Sequence, residues 1–140
     1  MKPRAMPVDR KYAFLTTAWM GAIYWLSSRP DLSTTGTAPV VQIATNLAHL
    51  PLFAGLAFCW LKALSARQEV SWWRCGLTFL GTCTYAALDE WHQSFVPGRQ
   101  ASAGDFLVDL AGIGGMLLIL ILRVQALRAS APQPVSAGFR

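Results

Sequence analysis

At 140 residues the chain has room for one domain, and its content of 54% hydrophobic against 14% charged residues lies outside the range of ordinary soluble domains, where about a quarter of residues are charged. A net charge of +5 would suit nucleic acid if Lys and Arg clustered on one face among polar and aromatic residues. They sit instead at the ends of apolar runs, which argues against nucleic acid as a partner and for a membrane.

A basic segment, residues 1–11 with Lys2, Arg4, Arg10 and Lys11, precedes the first apolar run, Tyr12 to Leu26. A membrane helix needs about 20 mostly apolar residues to cross some 30 Å of hydrocarbon. The first run is short for that and has the length of a signal-peptide core, but WLSSRP behind it lacks a small-x-small cleavage pattern, so it is read as a retained span. The second run extends from about Thr45 to Leu64. Pro51 within it has no backbone donor, which predicts a kink near Ala48 or a helix that begins at about Leu50. A third run, Trp73 to Trp91, is joined by the polar link SFVPGRQASAG to a fourth, Asp105 to Leu122. None alternates as a barrel strand does.

In the fourth run Gly112, Gly114 and Gly115, with Ala111 and Gly115 in small-xxx-small spacing, permit close helix packing. Trp25, Trp72, Trp73 and Trp91 fall near run ends as interfacial anchors do, whereas Trp19 is mid-run. Cys59, Cys75 and Cys83 lie inside apolar runs without CxxC or Cys/His ligand spacing and read as packing residues. Ala129 to Arg140, with Pro132, Pro134 and Gly138, reads as a disordered tail. The expected organisation is a basic N-terminus over 1–11, a transmembrane domain over 12–123 and a flexible tail over 124–140.

Orientation follows from Lys and Arg, which cytoplasmic segments retain. Ten of the twelve flank the N-terminus, the second loop (Lys62, Arg67, Arg74) or the C-terminus (Arg123, Arg128, Arg140); only Arg29 and Arg99 fall in the first and third loops. Both termini are therefore expected in the cytoplasm. The fold class is an all-α membrane protein of four transmembrane helices with a polar cluster at the outer face. On this topology both histidines and five of the seven acids, counting Asp31, fall on the outer side.

If the third helix continues past Trp91, Asp89, His92 and Gln93 share a face at i, i+3, i+4, with Glu90 turned about 100° away. Asp105 and Asp109 are one turn apart on the fourth helix, and the Pro97-Gly98 turn, followed by Arg99, folds the two helices into a hairpin. Asp105 suits a helix N-cap. Asp109 is a turn deeper, and a lone carboxylate costs at least about 2.5 kcal/mol at a helix centre and less near the interface, so it should face the bundle and find Arg99, His49 or His92.

The candidate ligand-binding set is His49, Asp89, Glu90, His92, Gln93, Arg99, Asp105 and Asp109. Three readings of it stay open. Arg99 can clamp the phosphate of an anionic lipid or lipid-linked precursor, with His49 or His92 donating a further hydrogen bond. Asp89, Glu90 and His92 are the candidates for acid-base catalysis in a hydrolase or transferase. A structural network that ties the helices together is the third. A divalent metal is possible on the ligand types of His49, Asp89, His92, Asp105 and Asp109, but no HExxH is present and Arg99 beside the acids would repel a cation. No metal or other cofactor is expected.

The run DEWHQSFVPGR, followed by Asp105 and Gly112, resembles the VanZ-like family of bacterial membrane proteins. The match to the family's DExHQxFxPGR pattern takes in Asp89, Glu90, His92, Gln93, Phe95, Pro97, Gly98 and Arg99, with His49 early in a preceding helix and Ser27 to Pro30 as its Ser-x-x-Pro stretch. The chain departs from the pattern twice. Thr45 and Asn46 stand where an acidic-basic pair usually precedes the early His, and Asp109 replaces an Asn. The second change implies that Asp109 is protonated or paired and not a free base. What the resemblance implies is a multi-pass protein of the bacterial inner membrane, acting in the cell envelope, in a family associated with resistance to the glycopeptide antibiotic teicoplanin.

Overall fold

The computed structural model of the chain describes residues 8–30, 39–65, 70–99 and 102–130, and of 39–46 the backbone alone. Four helices account for nearly all of it: α1 (Arg10–Ser27), α2 (Pro39–Leu64), α3 (Trp72–Gln93) and α4 (Ala103–Ala129). No strand occurs among the described residues. Two stretches, Leu47–Leu64 within α2 and Ala103–Ala129, are long and apolar enough to cross a membrane. Asp31 and the end of the expected tail, residues 131–140, lie outside the described residues, as do the side chains of Thr45 and Asn46.

Local chemistry sets most of the helix ends. Asp9 caps α1, its carboxylate accepting from Lys11 N at 3.0 Å, which satisfies one of the otherwise unpaired first-turn donors. At α4 the cap is Ser102, whose Oγ accepts from Gly104 N at 3.1 Å, and Asp105 lies inside the first turn. Asp105 is thus not the cap that its position suggested. The helix α2 begins at Pro39 and continues through Pro51, earlier than either Thr45 or Leu50. Pro39 has the fixed φ that suits a first helical position, and inside an apolar helix a proline is tolerated where neighbouring groups satisfy the freed carbonyl. In the same way α4 runs past Leu122 to Ala129, because Arg, Gln, Ala and Leu are strong helix formers whether or not they are apolar.

The helix α2 is the hub: it packs most extensively against α4 and also against α1 and α3. Phe53, Leu56, Leu61, Ile23 and Ile113 form the centre of the core and are essentially inaccessible. Close approach depends on small residues under large rings, with Gly55 beneath the Trp19 indole and Gly81 beneath that of Trp60. Trp19 also donates from Nε1 to the Leu52 carbonyl at 2.8 Å, so this mid-run tryptophan pins α1 to α2. Its replacement by phenylalanine keeps an aromatic ring but removes the bond and the indole atoms that lie over Gly55. That change is expected to lower stability by about 1 kcal/mol in thermal or denaturant unfolding of the detergent-solubilised protein.

Beside the apolar core the interior also holds many polar side chains, and many large apolar side chains lie on the surface. Thr16, Thr78, Thr82, Arg74 and, of the candidate site, His49, Asp89, Glu90, Gln93 and Asp109 are buried, while Phe14, Trp25, Leu80, Leu107, Ile119 and Leu122 are exposed. Two of the buried threonines turn their hydroxyls back to the preceding turn, Thr16 to Tyr12 O at 2.8 Å and Thr82 to Thr78 O at 2.7 Å, which pairs those donors inside the helix; the Thr78 hydroxyl has no partner among the described residues.

Candidate functional site

The last turn of α3 is where the polar groups gather, and helix geometry divides them. Asp89 and Gln93, one turn apart, face α1. Asp89 Oδ2 accepts from Ser27 Oγ and from Gln93 Nε2, each at 2.8 Å. Arg99 then donates to Gln93 Oε1 at 3.3 Å and to the Arg29 carbonyl at 3.4 Å. A chain of hydrogen bonds therefore runs from the end of α1, through α3, to the third loop.

Glu90, turned about 100° from Asp89, faces α4 and α2 instead. Its Oε2 accepts from Ser102 N at 2.9 Å, so the third helix supplies the acceptor for the cap residue of the fourth. Beside it His49 Nδ1 lies 3.1 Å from Asp109 Oδ1. His49, Glu90 and Asp109 are 8%, 8% and 0% exposed. Two carboxylate oxygens in this group, Glu90 Oε1 and Asp109 Oδ2, have no hydrogen-bond partner among the described residues, which is costly for buried acceptors.

His92 leaves the face it was expected to share with Asp89 and Gln93. Its Nε2 lies 3.0 Å from Ser28 Oγ, and its ring packs on Tyr24 with centroids 4.6 Å apart. At i+3 from Asp89 it lies off the Asp89–Gln93 line on the half-exposed side of the helix. Asp105 is half-buried. Of the partners open to Asp109, the structure selects His49; Arg99 turns to Gln93 and Arg29 instead.

The loop residues are placed by a tight turn. Arg99 N donates to Val96 O at 3.1 Å, with Pro97 and Gly98 at the two central positions and Gly98 at φ 80°. Pro at the first and a positive-φ residue at the second is the requirement of a type II turn. Glycine meets that requirement without a Cβ clash and sets the direction in which Arg99 leaves the chain.

The helix α4 is brought against α2 by another glycine. A Cβ on Gly112, one turn beyond Asp109, would run into the Leu50 carbonyl oxygen and crowd Ala54 N. Only glycine lets the two backbones come this close, and Leu50 is the neighbour of His49. The His49–Asp109 contact is built on that approach.

A shallow groove of about 320 Å³ between α3 and α4, lined by Ala87, Glu90, Ser102, Ala103 and Phe106, opens beside Glu90. Two other crevices, about 300 and 470 Å³, lie at the opposite end of the bundle among residues such as Cys75, Val124, Tyr12 and Lys62. No acid or histidine lines either of them, whereas Glu90 lines the groove between α3 and α4.

The family model described as VanZ/LLP1 matches residues 6–125. The chain belongs to the VanZ/LLP1 family. Comparison with curated proteins and with solved structures gives no match. The family match takes in α1 to α3, most of α4 and the DEWHQSFVPGR run, and together with the two long apolar helices it is consistent with a membrane protein. Within this VanZ/LLP1 chain, Ser27 and Ser102 are polar partners that the candidate set omitted. Ser27 was visible as part of the Ser-x-x-Pro stretch. Ser102 had no signal beyond its place three residues before Asp105, a spacing that marks a helix start.

Proposed function

We propose that the chain is a four-span protein of the bacterial inner membrane with both termini cytoplasmic. Its outward polar end receives the phosphate-bearing head group of an anionic envelope lipid or lipid-linked cell-wall precursor. The observation that carries this reading is the burial of His49, Asp89, Glu90, Gln93 and Asp109 at one end of a bundle whose flanks are apolar. Ionisable groups are expensive inside a membrane and persist there where they serve a ligand or a proton path. The exposed Phe14 and Trp25 of α1 and the exposed Leu77 and Leu80 of α3 support spans by those two helices as well.

Arg99 is the anion-binding group in this reading. Two of its donors hold Gln93 and the Arg29 carbonyl, which fixes the guanidinium plane and leaves the remaining N–H groups for phosphate oxygens. Arg29, stacked 3.9 Å over the Trp25 ring, adds a second positive charge at the same mouth. The groove beside Glu90 gives a head group lateral entry from the lipid leaflet. Occupation of an envelope precursor in this way would also alter susceptibility to teicoplanin.

Native mass spectrometry of the purified protein tests the reading. The wild type should carry co-purified anionic lipid, and Arg99→Ala should lose at least about tenfold in occupancy, the cost of one charge-assisted phosphate contact, with its unfolding temperature little changed. Equal lipid occupancy in a folded Arg99→Ala protein would refute it. A second reading, a hydrolase or transferase acting on the same head group, is favoured by the unpartnered oxygens of Glu90 and Asp109 beside His49, the arrangement of a base with an acid. Head group released into solution by the wild type and not by Glu90→Gln would select it.

A further inference from the structure

His49 from α2, Glu90 from α3 and Asp109 from α4 each place one ligand atom so that all three lie within 4.8 Å of one another. Two carboxylates carry two negative charges when ionised, and an imidazole offsets at most one. The group is short of positive charge and also holds two buried acceptors, Glu90 Oε1 and Asp109 Oδ2, with nothing to accept from among the described residues. A divalent cation supplies both deficits together. Arg99, whose charge would oppose a cation, hydrogen bonds to Gln93 and the Arg29 carbonyl on the α1 side.

The geometry points to a divalent transition-metal site formed by His49, Glu90 and Asp109. Two ligands on one tetrahedral ion, with bonds of about 2.1 Å, stand roughly 3.4 Å apart. The 3.1 Å between His49 Nδ1 and Asp109 Oδ1 is close to that spacing, and Glu90 needs only a small side-chain adjustment to complete the set. One imidazole with two carboxylates suits Zn²⁺ or Mn²⁺ better than Mg²⁺ or Ca²⁺, which take oxygen donors. Three protein ligands leave a position open, and Glu90 lines the groove to the outside, so that position is reached by water or by a phosphoryl oxygen. Ser102 N, bonded to Glu90 Oε2, orients the carboxylate as an outer-shell partner does.

The 140-residue chain, purified in detergent, stripped with chelator and dialysed against Zn²⁺ or Mn²⁺, should retain one ion per chain by elemental analysis. Titration should show affinity weakened at least about tenfold in Glu90→Gln, Asp109→Asn and His49→Ala. Asp9→Asn, at the other end of α1, should keep the ion. Glu90→Gln preserves the acceptor for Ser102 N, so it separates lost ligation from lost folding, and circular dichroism checks that it is folded. Retention well below one ion per chain in the wild type, or unchanged affinity in folded Glu90→Gln and Asp109→Asn, would overturn the proposal. Because the readout is metal and not lipid, lipid loss in Arg99→Ala with the ion retained leaves the site standing, and absence of the ion leaves the head-group reading untouched.

Discussion

Valine at position 112 is expected to produce the largest loss of stability of any single methyl-bearing substitution in α4. The obstacle at Gly112 is the Leu50 carbonyl and the Ala54 amide nitrogen, both backbone, so the usual escape of a flexible side chain is absent. Overpacking of a well-packed interior costs about 1–3 kcal/mol, and the upper end applies where backbone must move. The two helices must separate by the width of the added group. That shift falls one turn from Asp109 and beside His49, and it lengthens their 3.1 Å contact. Gly114 and Gly115 have open space where a Cβ would go, so alanine at either is expected to be neutral or slightly stabilising through helix propensity. Unfolding in denaturant, with the three variants compared in one detergent, checks the pattern. Equal effects at positions 112, 114 and 115 would show that the α2–α4 approach does not depend on Gly112.

That contrast also shows what the sequence could and could not disclose. Apolar runs marked all four helices, since burial or lipid exposure of a helix requires them whatever its partners. They marked helix ends poorly. The helix α4 extends through Arg123, Gln125 and Arg128, residues that leave the apolar run without leaving the helix, and α2 starts at Pro39, where composition is still mixed. The three glycines of α4 looked alike, and Ala111 with Gly115 fitted the small-xxx-small pattern; in space Gly112 alone of the three meets another helix. Which small residue touches a neighbour is a property of tertiary rotation, which a spacing rule does not contain.

The same holds for the polar cluster. That Glu90 points about 100° from Asp89 followed from helix geometry. That this angle divides one expected site into two did not, because it depends on α1 lying on one side of α3 and α4 on the other. Asp89 and Gln93 go to Ser27, whereas Glu90 goes to the space of His49 and Asp109. The objections to a metal were the lack of an HExxH motif and the nearness of Arg99 in sequence; the Pro97-Gly98 turn carries Arg99 to Gln93 instead, and the second objection falls. Residues far apart in the chain, 60 positions in the case of His49 and Asp109, were matched correctly only as members of a list of possible partners.

Breaking the His49–Asp109 pair from each side should give unequal losses, and removing both should give back most of the stability. In His49→Leu the Asp109 carboxylate stays at 0% exposure with its partner gone, and uncompensated buried charge typically costs about 3–5 kcal/mol. In Asp109→Val the imidazole left behind can be neutral near physiological pH, so the loss should be smaller. The double variant His49→Leu with Asp109→Val has no charge to leave unpaired and places two apolar side chains of similar total volume in the gap. Replacement of a whole buried pair in this way is often neutral or stabilising. The coupling between the two positions, read from unfolding of the four proteins, should therefore be favourable by about 1–3 kcal/mol. Function is the deciding measurement. The double variant should fold as well as the wild type and yet hold no anionic lipid, because a group retained for its chemistry cannot be replaced by one that only packs. If the double variant recovers both stability and lipid occupancy, the pair is a structural pin between α2 and α4, and the ligand site lies with Asp89, Gln93 and Arg99 alone.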